Sequence, residues 1–498
     1  MKRFLAESRN PTETFRLAQA AGAKQMKYYI SLDQGSSSSR AVAFGVDGRL
    51  AFQSRRPLRC RHDGAIAEYD AAELARGQLD ALDELLDLLP PESEIAGLAV
   101  ASQRSTVVLW DRNTGAPLCP APSWQDGRAA ALLDEIPLDH GQIRAITGLY
   151  KTPYYSAPKI LWCLRNYPAA AKAAREGTLA IGPVASYLVW LMTGGEVFAT
   201  DPTLAQRTLL FDLRAWNWSE KLAAVFSVPP QSLPQIRPSA ADYGVFRSKR
   251  GPIRILALAG DQQAAMAGAG ALSADTALVN YGTGAFFLAH ADGPAPQAAG
   301  LLESAGWESG RHLLEGTVNA ASSSLDWLNR LGIEFSARDV DELCRRSENP
   351  ALMLCSLGGL GSPYWDYSTP AAITNLGART EKCDIVRGAV EGVAILTAQA
   401  ALAARRAGAK FGKIIASGGF SRSDYLLEFQ SGLLQLPVER AAQEETTALG
   451  AACLAARAQG EDVSGWFSPG KTFVPPFPQQ RAGEILSRWE SFYRAVRG

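Results

Sequence analysis

Short apolar runs alternate with longer amphipathic segments along the whole chain. In the first half, residues 28–30 and 41–44 flank a polar turn, and residues 96–102 and 107–110 have the composition of strands. Residues 71–89 repeat apolar positions at helical spacing. Strands that alternate with helices predict an α/β fold with a largely parallel or mixed sheet.

The second half repeats this arrangement around further glycine turns. The strand-like run 253–259 ends at Gly260 and Asp261, and residues 277–289 predict a strand–turn–strand around Gly282-Thr283-Gly284. Residues 413–417 lead to Gly418-Gly419 and then to a helical pattern over 423–434. Glycines at such junctions let a flat or anionic ligand approach the backbone. One strand–turn–strand in each half suggests two duplicated domains that face one cleft.

The first turn carries the most informative chemistry. Its sequence is Asp33-Gln34-Gly35-Ser36-Ser37-Ser38-Ser39-Arg40. Gly35 allows backbone amides to approach a phosphate, the hydroxyls donate hydrogen bonds, and Arg40 adds positive charge. Asp33 ends a strand and could hold Mg²⁺ directly or through water. An ordinary serine-rich hairpin is the alternative, but the similar turns in the second half favour phosphate binding.

Composition narrows the class of protein. A chain of 498 residues exceeds what one hydrophobic core usually serves, so two domains are expected. Fifty basic and fifty acidic residues balance, which indicates neither nucleic-acid binding nor stable membrane association. The seven cysteines are scattered without C-x-x-C spacing, which is typical of a cytoplasmic protein. The longest apolar stretch, near Val184–Met192, is too short to span a bilayer.

The N-terminal residues differ from the rest of the chain. Residues 1–25 hold five basic and two acidic residues and no apolar core, which argues against a secretory signal. A transit peptide is one interpretation, and a disordered extension before a natural start at Met26 is the plainer one. A proline-rich connection at 227–238 precedes the second half, so the predicted domains are 26–251 and 252–498.

One motif is a misleading match. Gly465-Trp466-Phe467-Ser468-Pro469-Gly470-Lys471-Thr472 fits the P-loop expression G-x-x-x-x-G-K-[ST]. A P-loop follows a buried strand and opens a helix. Here the preceding segment is alanine-rich and charged, and three prolines between 475 and 478 exclude a following helix. We therefore interpret the match as chance and set aside the hypothesis of a P-loop NTPase.

From about Met26 onward the chain resembles the FGGY carbohydrate kinases, and the glycerol kinases among them. The first turn is similar to that family's phosphate loop. The other matching segments are Gln103-Arg104, Trp124-Gln125, the signature from Tyr154 to Trp162 with Asn166, Gly260-Asp261-Gln262-Gln263, Tyr281-Gly282-Thr283-Gly284, Pro363-Tyr364-Trp365-Asp366, Gly418-Gly419, Phe429-Gln430-Ser431 and residues 447–452. The second signature is retained only around Asp384, Ile385 and Glu391.

The resemblance implies two actin-like, ribonuclease-H-like ATPase domains flanking a central cleft in which ATP meets a sugar or polyol. It implies that Asp261 is the catalytic base and that Asp33 and Asp261 hold Mg²⁺. The implied substrate pocket consists of Arg104, Ser105, Trp124, Tyr154, Asp261, Gln262 and Phe286. The implied nucleotide-binding residues are Ser36, Ser37, Ser38, Arg40, Thr283, Gly284, Ser322, Asp326, Gly419 and Ser423.

Departures from the family pattern bear on the substrate. Ser105 stands where glycerol kinases carry a glutamate, and losing a charge-assisted hydrogen bond of about 1.5–3 kcal/mol could weaken glycerol binding roughly tenfold to a hundredfold. The segment Trp124-Gln125-Asp126-Gly127-Arg128 is intermediate between the glycerol kinase pattern and the W-x-D-x-R of sugar-kinase relatives. Ser322, Asp326 and Ser423 replace residues expected near adenine. Residues 245–251 lack the glycine-rich segment used for fructose 1,6-bisphosphate inhibition, so that regulation is not predicted.

The resemblance thus implies phosphorylation of glycerol to glycerol 3-phosphate with Mg²⁺ and ATP. A kinase of erythritol, xylitol, xylulose or ribulose is the alternative, and a non-catalytic sugar-binding protein is a third hypothesis. Asp33, Arg40 and Asp261 argue against the third. Homodimers are common in the family, so a homodimer is expected, although no interface can be identified from the sequence.

Overall fold

The computed structural model describes residues 26–295 and 300–498. The extension predicted for residues 1–25 lies outside the described residues. Two large sheets organise the described chain, and helices cover their faces. The predicted α/β fold is confirmed.

The first sheet has six strands, and its three central strands are parallel. Lys27–Gln34 and Gly251–Gly260 each pair in parallel with Glu94–Ser102, which lies between them. Their registers place Gln34 and Gly260 level with Ser102. Across the sheet the order is Val245–Ser248, Gly251–Gly260, Glu94–Ser102, Lys27–Gln34, Ser38–Gly45 and Leu50–Pro57. The carboxyl ends of the three parallel strands therefore meet at one edge, where α/β proteins usually bind ligands.

The second sheet has seven strands and again a parallel centre. Lys413–Ser417 pairs in parallel with Thr276–Tyr281 on one side and with Val438–Arg440 on the other. The order is Leu302–Ala305, His312–Val318, Ala285–Ala291, Thr276–Tyr281, Lys413–Ser417, Val438–Arg440 and Thr472–Phe473. Each of the two large sheets contains an antiparallel hairpin, which agrees with the predicted strand–turn–strand in each half of the chain.

Shorter strands and the helices complete the described chain. The remaining strands are Arg61–Asp63, Ile66–Tyr69, Val107–Asp111, Ala121–Pro122, Leu179–Pro183, Ala199–Thr200, Phe211–Asp212, Asn217–Trp218, Gln235–Ile236, Leu352–Leu354 and Ala372–Thr374. The α-helices are Ala71–Leu88, His140–Thr147, Ser156–Asn166, Pro168–Glu176, Val184–Met192, Pro202–Ala205, Glu220–Val225, Asp261–Gly268, Ser322–Arg330, Val340–Arg346, Lys382–Arg406, Asp424–Leu434, Thr446–Ala458 and Gln479–Arg497.

Two glycines let a pair of helices cross between the sheets. Asp261–Gly268 follows the last central strand of the first sheet, and Thr446–Ala458 packs against it. A Cβ added to Gly450 would lie 1.8 Å from the carbonyl oxygen of Ala264, and one added to Gly268 would lie 1.9 Å from that of Thr446. Backbone therefore meets backbone at this crossing, and no larger residue fits.

The longest helix, Lys382–Arg406, lies in the core of the second half. Its 25 residues are long and apolar enough to cross a membrane, but 78% of its most apolar 18-residue stretch is buried inside the protein. A core helix passes the same test, so this is weak evidence for a membrane span. This helix is not evident from the sequence, where Val184–Met192 is the longest apolar stretch, because alanines and glycines dilute the apolar pattern of Lys382–Arg406.

Several boundaries differ from those predicted. The strands around the first turn reach to Gln34 and resume at Ser38, so the turn itself is only Gly35-Ser36-Ser37. The short strand Thr472–Phe473, at the end of the apparent P-loop, was not among the predicted strands. Gly251–Gly260, which the sequence placed in the second half, is hydrogen-bonded within the first sheet. The division into domains at 251 and 252 stays a prediction.

Candidate active site

The carboxyl ends of the three parallel strands in the first sheet bring distant charged residues together. Asp33 is level with Ala101 on the neighbouring strand, Arg104 follows the end of that strand, and Asp261 begins the helix after the third strand. Asp33 and Arg104 are buried, whereas the Asp261 side chain is 30% exposed. The predicted metal, substrate and base positions therefore meet at one edge of the sheet.

Asp261 is held by its own helix and by Arg104. Its Oδ1 accepts a hydrogen bond of 2.8 Å from the backbone N–H of Gln262 and lies 3.2 Å from Arg104 Nε. Loss of water contact in the cleft raises the pKa of Asp261, the charge of Arg104 opposes this rise, and the negative charge of Asp33 reinforces it. A carboxylate with a raised pKa is a stronger base than one in free solution.

A buried hydrogen-bond chain fixes the strand end before Asp261. The backbone N–H of Gly260 donates to Thr203 Oγ1 at 2.7 Å, and Thr203 Oγ1 donates to Asp201 Oδ2 at 2.6 Å. Ser239 Oγ donates to the same carboxylate at 2.5 Å. Burial raises the pKa of Asp201 to about 6, and these hydrogen bonds offset part of the rise. The chain anchors the backbone that presents Asp261.

A buried acid that no sequence motif indicated, Glu315, holds Arg104. The two terminal guanidinium nitrogens of Arg104 donate to the two carboxylate oxygens of Glu315 at 2.8 Å, and Arg207 also donates to Oε2 of this carboxylate at 2.5 Å. Ser304 Oγ donates to Glu315 at 3.1 Å. Arg104 follows the strand Glu94–Ser102 of the first sheet and Arg207 lies in the first half of the chain, whereas Glu315 lies in the second sheet. Its signal was one charge inside the apolar run Leu313-Leu314-Glu315.

Three aromatic side chains, Trp124, Tyr154 and Phe286, lie near the first turn and Arg104, and we call them the aromatic wall. The rings of Trp124 and Tyr154 lie 5.6 Å apart, and Trp124 Nε1 donates to Ser36 Oγ at 2.9 Å. The Arg104 guanidinium lies 6.0 Å from the centre of the Phe286 ring. The hydrogen bond from Trp124 to Ser36 joins the predicted substrate pocket to the predicted phosphate turn. Rings of this kind pack against C–H groups of a ligand.

Ser105 and Gln262 present polar groups beside this wall. Ser105 is buried with a backbone φ of 65°, and its hydroxyl has no hydrogen-bond partner among the described residues. Gln262 accepts from Asn280 Nδ2 at 3.1 Å through its carbonyl oxygen. A buried polar atom without a partner costs free energy, so a ligand hydroxyl that satisfies Ser105 Oγ would be stabilised.

The acid of the W-x-D-x-R segment is already paired within the protein. Asp126 is buried, accepts 2.7 Å from the backbone N–H of Ala67, and contacts the Arg128 side chain at 2.6 Å. Arg128 also donates to Glu68 at 2.5 Å. The contacts of Asp126 with Ala67 and with Arg128 Nη2 go to Oδ2, and Oδ1 accepts from Arg128 Nε at 2.9 Å, so both carboxylate oxygens of Asp126 are engaged and the residue holds the loop that carries Trp124.

The glycine turns of the second sheet lie beside one another. The N–H of Ala321 donates to the carbonyl of Thr283 at 2.8 Å, and that of Ser322 donates to the carbonyl of Gly282 at 3.2 Å. A Cβ on Gly284 would lie 2.6 Å from the carbonyl oxygen of Val318, and one on Gly418 would lie 2.4 Å from that of Tyr281. The turn Gly282-Thr283-Gly284, predicted to bind phosphate, therefore adjoins the turn Gly418-Gly419, predicted to contact adenosine.

The remaining nucleotide-side residues divide into exposed and engaged ones. Gly419 and Asp326 are exposed. Ser423 caps the helix Asp424–Leu434 and donates to Asp341 Oδ1 at 2.5 Å. In the first turn, Ser37 is exposed and Ser38 is buried. Contacts of these residues with a nucleotide stay predictions.

Arg40 lies between two acids. Its guanidinium forms ion pairs with Asp33, across the hairpin, and with Glu445, which immediately precedes the helix Thr446–Ala458. Glu445 was not among the predicted site residues, because its contact with Arg40 spans 405 residues of the chain. The ion pair between Arg40 and Glu445 joins the first turn to the second half of the chain.

The donor set fits Mg²⁺ that is shared with a phosphate ligand. Asp33 and Asp261 place two carboxylates near each other at the strand ends. Within residues 26–295 and 300–498, no group of three or more His, Cys, Asp or Glu side chains is arranged to hold a metal ion. Mg²⁺ in phosphoryl-transfer sites commonly takes one or two carboxylates, with phosphates and water as its other ligands.

The apparent P-loop does not have the required geometry. Lys471 precedes a two-residue strand, pairs with Asp424 and lies 4.8 Å from the Phe473 ring. The helix Thr446–Ala458 precedes the segment, where a P-loop has a strand. A Cβ on Gly470 would lie 1.7 Å from the carbonyl oxygen of Arg440, so this backbone faces protein. The interpretation of a chance match is confirmed.

Comparisons with known proteins agree with this geometry. Residues 28–268 match the N-terminal domain of the FGGY family of carbohydrate kinases, and residues 277–459 match its C-terminal domain. A glycerol kinase from Thermus brockianus is 37% identical over 492 residues, covering 95% of this chain and 99% of the relative. One from Bordetella parapertussis is 34% identical, covering 95% and 97%.

Solved structures share the fold. A Plasmodium falciparum glycerol kinase with ADP aligns with a TM-score of 0.89 at 24% identity, covering 95% of this chain and 98% of that one. A xylulose kinase from Rhodospirillum rubrum aligns with a TM-score of 0.85 at 22% identity, covering 94% and 99%. The predicted actin-like, ribonuclease-H-like fold is thereby confirmed. The chain belongs to the FGGY family of carbohydrate kinases and is an ATP-dependent kinase of a sugar or polyol.

Proposed function

We propose that this enzyme transfers the γ-phosphoryl group of ATP to a terminal hydroxyl of a small polyol, and that glycerol is its acceptor. The observation that carries this proposal is the placement of Asp261. It lies beside Arg104 at the end of a central strand, with the wall formed by Trp124, Tyr154 and Phe286 nearby. The full-length relatives named glycerol kinase support the choice of acceptor.

In the proposed reaction Asp261 accepts the proton of the acceptor hydroxyl. The hydroxyl oxygen forms a bond to the γ-phosphorus while the bond from that phosphorus to the bridging oxygen of ATP breaks, and ADP leaves. Phosphoryl transfer needs little covalent help from protein, so positioning and charge neutralisation are the main contributions. The raised pKa of Asp261 suits it to take the proton.

Asp33 and Asp261 are the residues that would hold Mg²⁺, directly or through water. Bound there, the ion would neutralise negative charge on the transferring phosphate. The first turn would bind phosphate through Ser36, Ser37, Ser38 and Arg40, and the second through Thr283 and Gly284. The residues proposed for the adenosine side are Ser322, Asp326, Gly419 and Ser423.

A larger polyol or a ketopentose is the second candidate acceptor. Ser105 supports it, because its buried hydroxyl has no partner among the described residues and would pair with an additional acceptor hydroxyl. The aspartate that resembles the sugar-kinase element does not support it, since Asp126 is engaged by Arg128 and Ala67. A cytoplasmic location and a homodimer rest on the sequence and stay predictions.

The test is a coupled assay of ADP release with Mg²⁺ and ATP. The acceptors are glycerol, erythritol, xylitol, ribitol, xylulose and ribulose. Asp261→Asn should lower kcat by at least about a hundredfold, since general-base catalysis contributes about 10²–10⁴-fold. Asp80→Asn is the matched control, because Asp80 is exposed on the helix Ala71–Leu88 and should leave kcat unchanged.

The outcomes of this assay distinguish the two candidate acceptors from a protein without kinase activity. Glycerol with the highest kcat/KM supports the leading proposal, and a pentitol or ketopentose with the highest value transfers the assignment to the second candidate. No turnover of any acceptor, with ATP binding intact, contradicts both and favours a non-catalytic sugar-binding protein. Full activity of Asp261→Asn would refute the assignment of the base.

A further inference from the structure

Three backbone carbonyls converge on one buried lysine beside the aromatic wall. Lys159 lies in the helix Ser156–Asn166, and its side chain is fully buried. Its Nζ donates to the carbonyl of Ser105 at 3.2 Å, to that of Ser123 at 2.7 Å and to that of Tyr154 at 2.7 Å. An ammonium has three N–H donors and no acceptor, so these three bonds use its full capacity.

The three carbonyls belong to the segments that carry the proposed acceptor pocket. Ser105 follows Arg104, Ser123 precedes Trp124, and Tyr154 is itself part of the wall. Ser105 and Ser123 lie 54 and 36 residues from Lys159 in the chain. One side chain thus joins three loops that have no common strand. Ser156 Oγ reinforces the first contact by donating to the Ser105 carbonyl at 3.2 Å.

Burying this charge has a cost that packing alone does not explain. Burial lowers the pKa of Lys159 to about 7, and the nearby Asp126 opposes the fall. Its hydrogen bonds go to neutral carbonyls, and no carboxylate lies within ion-pair distance among the described residues. A methionine of similar length would fill the same space without desolvating a charge. The retained ammonium is therefore best explained by what it holds.

We propose that Lys159 is a positioning residue for the acceptor, which sets the relative placement of the Ser105, Trp124 and Tyr154 segments without touching the acceptor or ATP. The inference rests on the proposed function, because it takes these segments as the acceptor pocket. Loss of the ammonium releases all three carbonyls together. The acceptor then meets a pocket of correct composition whose walls are no longer fixed, while the glycine turns on the nucleotide side are unaffected.

The test compares Lys159→Met with Lys151→Met. Lys151 is the matched control, because its Nζ also donates to two carbonyls, those of Ile136 at 3.1 Å and Leu138 at 2.9 Å, outside the proposed pocket. The acceptor is whichever compound the wild-type enzyme phosphorylates best. KM is measured separately for that acceptor and for MgATP, and folding is checked by circular dichroism.

We expect Lys159→Met to raise the acceptor KM at least tenfold and to change the MgATP KM less than twofold, with both values unchanged in Lys151→Met. An unchanged acceptor KM in folded Lys159→Met overturns the inference, as does an equal rise in both KM values. Failure of the proposed function appears separately, as a wild-type enzyme that does not phosphorylate glycerol or the other acceptors tested.

Should Lys159→Met fail to fold, the wild-type enzyme supplies the second measurement. The acceptor KM is followed from pH 6 to pH 9, since the ammonium loses a donor as it deprotonates. The charged and titratable groups facing Lys159 are Asp126, Arg128 and Cys163. A rise in acceptor KM above neutral pH, with a flat MgATP KM, supports the inference, and a flat acceptor KM overturns it.

Discussion

Replacing Glu315 by glutamine tests how the two halves of the chain hold the site. Glu315 is fully buried and accepts hydrogen bonds from both Arg104 and Arg207. Glutamine keeps the shape of the side chain and removes its charge. The two buried arginines then share no carboxylate, and among the described residues Arg104 keeps an ion pair with Asp261.

The expected loss in the free energy of unfolding follows from the pKa of Glu315. Burial alone would raise it, but the charges of Arg104 and Arg207 outweigh burial and lower it from 4.5 to about 2. At about 1.4 kcal/mol per pKa unit, the lower pKa corresponds to about 3 kcal/mol of stability at neutral pH. This contribution is present above pH 4.5 and is lost as the pH falls through 2. Removing one partner of a buried ion pair costs about 3–5 kcal/mol, which agrees with that value.

The same change should shift the pH dependence of catalysis. The negative charge of Glu315 helps to raise the pKa of Asp261, and Arg104 lowers it. In Glu315→Gln the first influence disappears and Arg104 is free to turn towards Asp261. We therefore expect the acid limb of kcat/KM to move to lower pH and kcat to fall, because a carboxylate with a lower pKa is a weaker base.

Chemical denaturation and a pH–rate profile measure the two effects. Glu303→Gln is the control, since Glu303 lies on a neighbouring strand and pairs with Arg214, whose side chain is 35% exposed. Glu315→Gln should unfold at clearly lower denaturant concentration than both the wild type and this control. A Glu315→Gln variant with wild-type unfolding and a wild-type acid limb would refute the reasoning.

Two further substitutions test the helix crossing and the false P-loop. Gly450→Ala should destabilise the protein by about 3 kcal/mol or more, at or above the upper end of the usual cost of overpacking, because its Cβ would lie 1.8 Å from a carbonyl oxygen. Gly483→Ala, in a helix where the Cβ meets open space, should instead stabilise it by about 0.5–1 kcal/mol. Equal midpoints in thermal denaturation would contradict both expectations. Lys471→Ala should leave kcat within twofold, whereas a large loss would revive the P-loop hypothesis.

Local sequence predicted those parts of the site that depend on strand ends. Asp33 and Asp261 each follow an apolar run, and parallel strands bring their carboxyl ends to one edge. Glycine turns were also predictable, because close backbone approach excludes side chains at positions such as Gly284 and Gly418. These features depend on a few consecutive residues, so the sequence indicates them directly.

Contacts between distant segments were not predictable in the same way. Glu315 meets Arg104 across 211 residues, and Arg40 meets Glu445 across 405. An isolated charge in an apolar strand signals that a partner exists, but it does not say which of fifty basic residues is the partner. Pairing of this kind is set by how the two sheets dock, which no local pattern encodes.

The polar groups of the proposed acceptor pocket differ in whether they already have hydrogen-bond partners, and this difference indicates that Ser105 governs selectivity among acceptors. Arg104 is held by Glu315 and Asp261, and Asp126 is engaged by Arg128, so both are fixed before an acceptor arrives. Ser105 differs, because Lys159 and Ser156 fix its carbonyl while its own hydroxyl has no partner among the described residues. An unpaired buried hydroxyl costs about 1–3 kcal/mol, which an acceptor hydroxyl at that position would recover. We therefore expect acceptors to differ in affinity by their contact with Ser105, on a backbone held by Lys159.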